Sequence, residues 1–464
     1  MILQSLAIFT TAMLAGFGLV HLVWKSEQAS ALGLKIFLGA GLGIGLTSCF
    51  YFLRLLLAPG QGGYLVIQIG LLVLMLIALL FQKRVSWTFS LRPVNLMPVQ
   101  ILLTLMAILV AGVTLFFLVS IARSAPHGDY DAHAIWNLRA RFMYRSGYAW
   151  ENAFSPLINR NFHMDYPLLV PLSVVGGWNT LRSEVLRVPA VLSMLFLFGM
   201  AGTIYFTLAY LRSLSQAALA TILLLATPGL ILYSTFQTAD IPLTYYFIGS
   251  ASLLLLAYKE NNRGLLFLSG MMAGLSAWTK NEGLPFVLLM TFLTLLLFGK
   301  QKAYRVLPAF LGGTALPLLI VALFKMLVSA NNDLFANNPL SEIVLKLVDP
   351  GRYAQIVSHL LPELVRLGDW PVSILVVLLV YGVIIGVTKF SRTEKVFWLI
   401  PLSQLAVYLL IYVITPHDLD WHMNYSMSRL LIHVFPLTLF SFFLFTNTPE
   451  AVLSKEHEGQ KSGG

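Results

Sequence analysis

The stretch GDYDAHAIWNLRARFMYR, residues 128–145, gathers side chains that could do chemistry in a chain with few charges. It carries Asp129 and Asp131, followed within one short helix by Arg139, Arg141 and Arg145. An aspartate can act as a general base toward an acceptor hydroxyl, and guanidinium groups bind phosphate through several planar donors. Ordinary roles compete with these, because Asp131 is also well placed to cap a helix and each arginine could contact solvent or a lipid headgroup.

Four further ionisable residues stand near the ends of apolar segments: Asp240 in FQTADIPL, Lys280 and Glu282 in WTKNEG, and Arg429 in SMSRLLIH. Charge beside hydrocarbon is costly, which makes each of them a functional candidate. Asp240 could instead cap the helix that follows it, and Lys280 could simply neutralise Glu282. Lys325 lies about one turn inside an apolar segment and is expected to snorkel outward.

The composition places these residues in a membrane protein. Of the 464 residues, 58% are hydrophobic and 11% are charged, and the mean hydropathy is +0.80. A soluble fold cannot bury so much apolar surface, and continuous apolar runs favour helices over a barrel. We therefore expect an all-α polytopic membrane protein. The net charge of +10 has no accompanying basic and aromatic module of the kind that reads bases, so nucleic acid is not an expected partner.

Thirteen apolar segments are long enough to cross a bilayer. They are residues 2–24, 31–57, 63–82, 98–122, 187–211, 216–236, 241–258, 264–280, 283–299, 304–328, 371–389, 396–415 and 429–446. An outside N-terminus puts more than half of the lysines and arginines in cytoplasmic connections and in the tail, as the positive-inside rule requires. The glycine run LGAGLGIG at 38–45 lies inside a span and indicates close helix packing rather than phosphate binding.

Three connections then fall outside, at 123–186, 329–370 and 416–428. The first is expected to form an amphipathic helix over 131–146 at the membrane surface, with Arg139 away from its apolar side. A re-entrant or interfacial helix should follow Pro167. The second connection should be helical in its middle, between two turns.

A metal site is weakly indicated. Five histidines occur in the first and third outside connections, with spacings that match no compact ligand motif. They are His127, His133, His163, His417 and His422. A divalent cation stays open as a cofactor, and Asp129, Asp131 or Glu282 would hold it more naturally than histidine.

An acidic first outside loop, a YPLL turn, a DIPL turn and a TKNEG turn follow one another in this chain. In this order they resemble the GT-C superfamily of membrane glycosyltransferases, which use polyprenyl-phosphate sugars and include protein O-mannosyltransferases and lipid A aminoarabinose transferases. The resemblance covers about residues 98–330, with a weaker similarity at SRLLIHVFP. This chain departs from the pattern in having three additional N-terminal spans and Leu168 in place of a second proline.

The resemblance implies a role for particular residues. Asp131 corresponds to the acidic residue of the first outside loop and would be the catalytic base, with Asp129 as its rival. Tyr166 belongs to the proline turn, Asp240 is the second acidic residue, and Lys280 would meet the donor phosphate. The candidates for binding the donor or its phosphate are Asp240, Lys280, Glu282, Arg429, Arg139 and Tyr166.

The resemblance also implies an organisation and an activity. Residues 1–97 would be accessory membrane helices, 98–330 the catalytic module with loop 123–186, 331–447 an outside loop and C-terminal helices, and 448–464 a cytoplasmic tail. The implied reaction transfers a sugar from a polyprenyl-phosphate donor to a hydroxyl of a lipid, glycan or protein acceptor, with inversion. It would take place among membrane lipids on the extracytoplasmic side of a bacterial plasma membrane.

Three alternatives remain on sequence grounds. The main one is a transporter or flippase for a lipid-linked glycan, although residues 1–232 and 233–464 show no convincing repeat of the kind that transporters carry. The others are a noncatalytic assembly subunit and a ligase or polymerase that uses lipid pyrophosphate donors.

Overall fold

The computed structural model describes residues 2–82, 96–155, 157–158, 163–299, 303–328, 338–388 and 391–452. Helices form nearly all of this part of the chain, and its one β contact is an isolated bridge between Val387 and Thr446. The first half contains α1 (Ile2–Val23), α2 (Ala29–Leu57), α3 (Tyr64–Phe81), α4 (Pro98–Ser124), α5 (Asn137–Ser146), α6 (Leu169–Leu181), α7 (Arg187–Leu211), α8 (Leu214–Leu225) and α9 (Pro228–Thr235). The second half contains α10 (Asp240–Glu260), α11 (Arg263–Thr279), α12 (Gly283–Phe298), α13 (Ala303–Leu327), α14 (Leu340–Val348), α15 (Pro350–Val365), α16 (Ile374–Ile385), α17 (Arg392–Ile414) and α18 (Leu419–Phe445).

The prediction of an all-α polytopic membrane protein is confirmed. Nine helices of the described chain are long and apolar enough to cross a membrane, and the number rises to eleven if two bent pairs each count as one span. The pair α8 and α9 bends by 60° where Pro228 begins α9, because proline lacks the donor that would continue α8. The two remaining predicted spans, α11 and α12, have 17 and 16 residues, about 25 Å at 1.5 Å per residue.

The innermost helix is α10, which is buried along almost its whole length. It packs against α7, α11 and α18. Because α10 and α11 are joined by a short turn and run antiparallel, the start of α10 and the end of α11 lie at the same end of the bundle. Asp240 and Lys280 are thereby brought to one place. Gly270 of α11 sits directly against the Phe310 carbonyl of α13, so these two helices also approach closely.

The N-terminal helices confirm the predicted close packing around LGAGLGIG. A Cβ on Gly43 of α2 would lie 1.7 Å from the carbonyl oxygen of Ala12 in α1, and one on Gly16 would lie 1.9 Å from that of Gly39. On its other side α2 accepts a hydrogen bond of 2.9 Å at the Gly41 carbonyl from the Tyr246 hydroxyl of α10. The helix α2 therefore connects the N-terminal segment to the centre of the bundle.

We expect Gly43→Ala to destabilise the protein by about 1–3 kcal/mol, because the added methyl group forces two helix backbones apart. Gly112→Ala is a matched control in α4, since nothing lies within 4 Å of a Cβ there. Alanine has the higher helix propensity, so the control should be neutral or stabilised by up to about 1 kcal/mol. Thermal unfolding of the purified variants in detergent measures both, and equal effects at the two sites would contradict the packing argument.

The first outside loop is helical as predicted, but it is rotated from the expected orientation. A π-helical turn at Ala132–Trp136 precedes α5, and a 3₁₀ segment at Gly147–Phe154 follows it. Arg139 is buried, whereas Phe142 on the predicted apolar side is 37% exposed. The expected placement of Arg139 is wrong, because polar partners beneath the helix hold that side chain inward.

The two other predicted loop helices are also present. Helix α6 begins after the Tyr166–Pro167 turn and is buried from Leu169 to Trp178, as a re-entrant helix inside the protein would be rather than an interfacial one. In the second connection, α14 and α15 form the helical middle. Residues 329–337 of that connection, and 453–464 of the predicted tail, lie outside the described residues.

Candidate functional site

Five charged side chains from four separate segments of the chain meet at the end of the bundle where α10 begins. They are Asp131, Asp240, Lys280, Glu282 and Arg429. All five were predicted site residues, and the most distant pair in direct contact, Asp131 and Arg429, is separated by 298 positions. Helix packing has therefore assembled the four segments, since only Lys280 and Glu282 are neighbours in sequence.

Asp240 is the centre of this charged cluster. Its carboxylate is buried, with Oδ1 accepting hydrogen bonds from Lys280 Nζ at 2.9 Å and from His433 Nε2 at 2.8 Å. The other oxygen, Oδ2, accepts from the Thr238 hydroxyl at 2.6 Å. The side chain makes no capping bond to α10, whose N-cap is Ala239. The alternative that Asp240 is a helix cap is therefore wrong.

Lys280 joins two carboxylates, because its Nζ also lies 2.9 Å from Glu282 Oε1. The turn 280–282 lies between α11 and α12, and both side chains are largely buried. Burial alone lowers the pKa of Lys280, but Asp240 and Glu282 outweigh it and raise that pKa. Burial likewise raises the pKa of Glu282, and the nearby Lys280 more than offsets this, so the pKa is lowered. The suggested neutralisation of Glu282 thus occurs, and Lys280 holds Asp240 as well.

Arg429 connects Asp131 to the same cluster. Its Nη1 donates to Asp131 Oδ2 at 2.5 Å, and its Nε lies 4.0 Å from Asp240 Oδ1. Asp131 precedes the π-helical turn and its side chain makes no capping bond, so the helix-cap alternative is wrong for this residue too. Within the described chain, Arg429 Nε and Glu282 Oε2 are buried atoms without a hydrogen-bond partner. Such unsatisfied groups are uncommon and mark a place where a ligand could bind.

The two candidate bases lie in different surroundings. Asp129 is exposed, and its carboxylate has no hydrogen bond or ion pair to the described residues, although its backbone N–H donates to the Phe236 carbonyl at 3.3 Å. Gly128 adopts φ +75°, and a Cβ there would lie 2.7 Å from that same carbonyl oxygen. The loop and the turn before Asp240 are therefore in close backbone contact, which brings Asp131 into the cluster and leaves Asp129 at its edge.

Gln237 is a positioning residue that was not predicted from the sequence. It is buried with φ +58°, and its Nε2 donates to the Pro126 carbonyl at 3.1 Å. Its Oε1 accepts from Asn137 Nδ2 at 3.1 Å. One side chain thus ties the turn before Asp240 to both ends of the Asp129–Asp131 loop.

Arg139 stabilises the Tyr166–Pro167 turn beside the charged cluster. Its guanidinium donates to the backbone carbonyls of Tyr166 at 3.1 Å and His163 at 2.8 Å, and it lies 5.5 Å from the centre of the Phe154 ring. Burial lowers the pKa of Arg139 to about 10, which leaves it charged at neutral pH. These contacts hold the proline turn in place.

Tyr166 lies on the inner side of that turn. Its ring stacks between His163, at a centroid distance of 4.7 Å, and Trp136, at 5.5 Å. The ammonium group of Lys280 is 5.8 Å from the same ring, close enough for a cation–π contact. The tyrosine therefore borders the charged cluster, and its predicted role in donor binding stays a prediction.

Two further polar contacts were missed. His433, one helical turn after Arg429, donates from Nε2 to Asp240, and its Nδ1 lies 3.2 Å from the Tyr408 hydroxyl. Lys325 does not snorkel outward: its ammonium binds the carbonyl and carboxylate of Asp165, and it donates to Asn281 Oδ1 at 2.9 Å. The i, i+4 spacing could have revealed His433, and the position next to Tyr166 could have revealed Asp165.

The charges of the whole site balance. Four carboxylates face four cations across the charged cluster and its neighbours. The carboxylates are Asp131, Asp165, Asp240 and Glu282, and the cations are Arg139, Lys280, Lys325 and Arg429. An additional anion bound in this site would be uncompensated unless one of the carboxylates gave up the cation with which it is paired.

The other arginines of the first loop lie elsewhere. Arg145 makes a two-pronged ion pair with Glu184, at 2.6 and 2.8 Å, on the surface. Arg141 lies 4.0 Å from the same carboxylate. Arg160 is outside the described residues. Arg141 and Arg145 therefore contact Glu184 and are not parts of the charged cluster.

The described residues offer no compact site for a divalent cation. No group of three or more His, Cys, Asp or Glu side chains in the described ranges has a geometry that could hold a metal ion. The carboxylates named as candidate ligands are separated or paired with cations instead.

Comparison of the chain with protein-family models, with curated proteins and with solved structures found no match.

Proposed function

We propose that this protein is an integral-membrane glycosyltransferase that moves a sugar from a polyprenyl-phosphate donor to an acceptor hydroxyl. The observation that carries the proposal is the charged cluster in which Asp131 is linked through Arg429 to the buried pair of Asp240 and Lys280. It combines a carboxylate that can accept a proton with cations that can stabilise a leaving phosphate. The order of the acidic loop and the YPLL, DIPL and TKNEG turns, which resembles the GT-C superfamily, supports the same activity.

In the proposed reaction Asp131 accepts the proton of the acceptor hydroxyl. The oxygen attacks the anomeric carbon on the face opposite the phosphate, a new glycosidic bond forms, and the bond to the phosphate oxygen breaks. The electron pair leaves with the lipid phosphate, and the anomeric configuration is inverted. Two cations at one end of the cluster, Lys280 and Arg429, would stabilise the charge that grows on that oxygen.

Arg429 has a central part in this scheme because it is shared. In the resting site its Nη1 is occupied by Asp131, and its buried Nε has no hydrogen-bond partner in the described chain. When Asp131 becomes neutral by taking a proton, its attraction for Arg429 falls. The guanidinium is then available to the phosphate at the moment when the negative charge of the phosphate increases, and the charge balance of the site is kept.

The surroundings suit a lipid-borne donor. The cluster lies at helix ends and includes Asp131 from the loop that follows α4, a helix whose side chains are largely exposed, so a polyprenyl chain could approach laterally. The proposed location is the extracytoplasmic face of a bacterial plasma membrane, where the acceptor would be a lipid, glycan or protein. No step of the scheme uses a divalent cation.

A reconstituted transfer assay tests the proposal. The purified full-length protein in proteoliposomes receives a polyprenyl-phosphate sugar, or in parallel the corresponding nucleotide sugar, together with a membrane-lipid and glycan acceptor extract. We expect labelled acceptor only with the polyprenyl-phosphate donor, because the lipid phosphate is the leaving group. Release of free polyprenyl phosphate in equal amount is the second measurement.

The same vesicles separate transfer from transport. Movement of a fluorescent lipid-linked sugar between leaflets is followed by a quencher that cannot cross the membrane. Translocation without labelled acceptor would favour the flippase alternative and overturn the proposal. Transfer without faster translocation than in protein-free vesicles would support it.

A further inference from the structure

A separate polar cavity of about 200 Å³ lies between α15 and the first turns of α18. Ser358, His359 and Glu363 line it from α15, and Asn424 and Ser428 line it from α18. Buried Met423 and Met427 add an apolar part to the wall. None of these residues belongs to the charged cluster described above.

The cavity lies behind an amphipathic helix whose apolar side faces outward. Helix α15 exposes Tyr353, Val357, Leu361 and Val365, which lie at intervals of four residues on one side. In a membrane protein such a side contacts lipid. The opposite side of α15, with His359 and Glu363, therefore faces the protein, and the cavity opens to the surface beside the exposed Ser358 and Asn424.

Helix α18 separates this cavity from the charged cluster. Arg429 and His433 are four residues apart and share one face, whereas Asn424 and Met427 fall on the opposite face at 100° per residue. Ser428, between the two faces, lies 3.0 Å from the hydroxyl of Tyr233 in α9. The cavity and the cluster are thus distinct sites on two sides of one helix.

The lining of the cavity selects a class of ligand. No lysine or arginine lines it, and His359 lies 3.4 Å from Asp420, so the local field disfavours phosphate and other anions. The amide of Asn424 and the carboxylate of Glu363 form no side-chain hydrogen bond within the described chain, which leaves donors and acceptors available for hydroxyl groups. The methionines offer a flat apolar contact, and the volume suits a single sugar ring.

We infer that this cavity binds a neutral, hydroxyl-rich group, the sugar of a carbohydrate ligand. Its use as the acceptor site rests on the proposed function, because the acceptor would then be a glycan or glycolipid held one helix away from Asp131. Sugar binding in the cavity does not depend on transfer. The two statements can therefore fail separately.

Binding of octyl β-glucoside to the full-length protein in nanodiscs tests the inference. Octyl phosphate and octylammonium share the octyl chain and differ in the headgroup, so they separate the sugar from an anion, an amine and the chain alone. Titration calorimetry below the micelle concentration should detect octyl glucoside as the tightest of the three. Glu363→Gln and Asn424→Ala should each weaken it about tenfold, since the first replaces a charged acceptor with a weaker neutral one and the second removes a hydrogen bond to a hydroxyl.

A matched variant is Glu342→Gln, which removes an acidic side chain from α14 outside the cavity. We expect it to bind octyl glucoside as the unaltered protein does. Tighter binding of octyl phosphate or octylammonium, equal binding of all three probes, or no effect of the two cavity variants would each overturn the inference. Glucoside binding in a protein that fails the transfer assay would leave the cavity assignment standing and remove the proposed function, and transfer without glucoside binding would do the reverse.

Discussion

Asp131→Asn should lower the kcat of sugar transfer by about 10²–10⁴-fold, the usual contribution of a general base. Asparagine has nearly the same shape and its oxygen can still accept the hydrogen bond from Arg429 Nη1, but it cannot take a proton from the acceptor. The pair is partly exposed, at 24% for Arg429 and 29% for Asp131, so the free energy of unfolding should change by no more than about 1 kcal/mol. Initial rates in the reconstituted assay, with thermal unfolding of the same samples, separate the two effects.

Asp129→Asn is the matched control. The same substitution two residues earlier changes an exposed carboxylate that has no ion pair within the described residues. It should keep most of the activity. Loss of transfer in Asp129→Asn with normal transfer in Asp131→Asn would make Asp129 the base, and full activity in both would remove a carboxylate base from this loop.

Lys280→Met should have the largest effect on stability, about 3–5 kcal/mol, because it leaves two buried carboxylates without their shared cation. Both ion-pair distances are 2.9 Å, and Lys280 and Asp240 are only 3% and 2% exposed. Asp240→Asn should cost less, since Lys280 keeps Glu282 as a partner. Denaturation in detergent, followed by tryptophan fluorescence and by size-exclusion chromatography, measures these differences.

The control is Arg145→Met, which breaks the exposed ion pair with Glu184. Exposed pairs contribute little because water and salt screen them, so this variant should unfold close to the unaltered protein. A small effect of Lys280→Met, no greater than that of Arg145→Met, would show that the cluster does not stabilise the fold.

Lys280→Met should also reverse the way in which Glu282 makes the stability of the protein depend on pH. In the unaltered protein the pKa of Glu282 is lowered, so its contribution is present above the pKa of the unfolded chain and is lost as the pH falls through the folded value. Without Lys280, burial becomes the dominant influence and raises that pKa. Lowering the pH toward 5 should then protonate the carboxylate and recover part of the stability lost in Lys280→Met.

Much of the fold was predictable because membrane spans depend on local hydrophobicity. Each of the thirteen apolar segments contains a helix within its described residues, and the glycines at 39 and 43 pack against α1 as expected. The bends were harder to predict. Pro228 is visible in the sequence, but the 60° angle it permits between α8 and α9 depends on how both helices pack.

The residue types of the candidate site were also visible in the sequence, because charge beside hydrocarbon is costly and stands out. Asp131, Asp240, Lys280, Glu282 and Arg429 were all identified in this way. Their partners were not predictable, since hydrogen bonds of 2.5–2.9 Å between distant segments depend on the relative rotation of whole helices.

The difference between local hydrophobicity and the pairing of distant charges also explains the predictions that were wrong. Lys325 was expected to reach outward because an isolated lysine in a span has no better partner, but the turn at Asp165 supplies one. Asp131 and Asp129 have nearly identical local sequence contexts, and the contact of their loop with the turn at Gln237 gives only Asp131 an arginine. Hydrophobicity acts residue by residue and can be read along the chain, whereas pairing between charges requires the geometry of helices packed against one another.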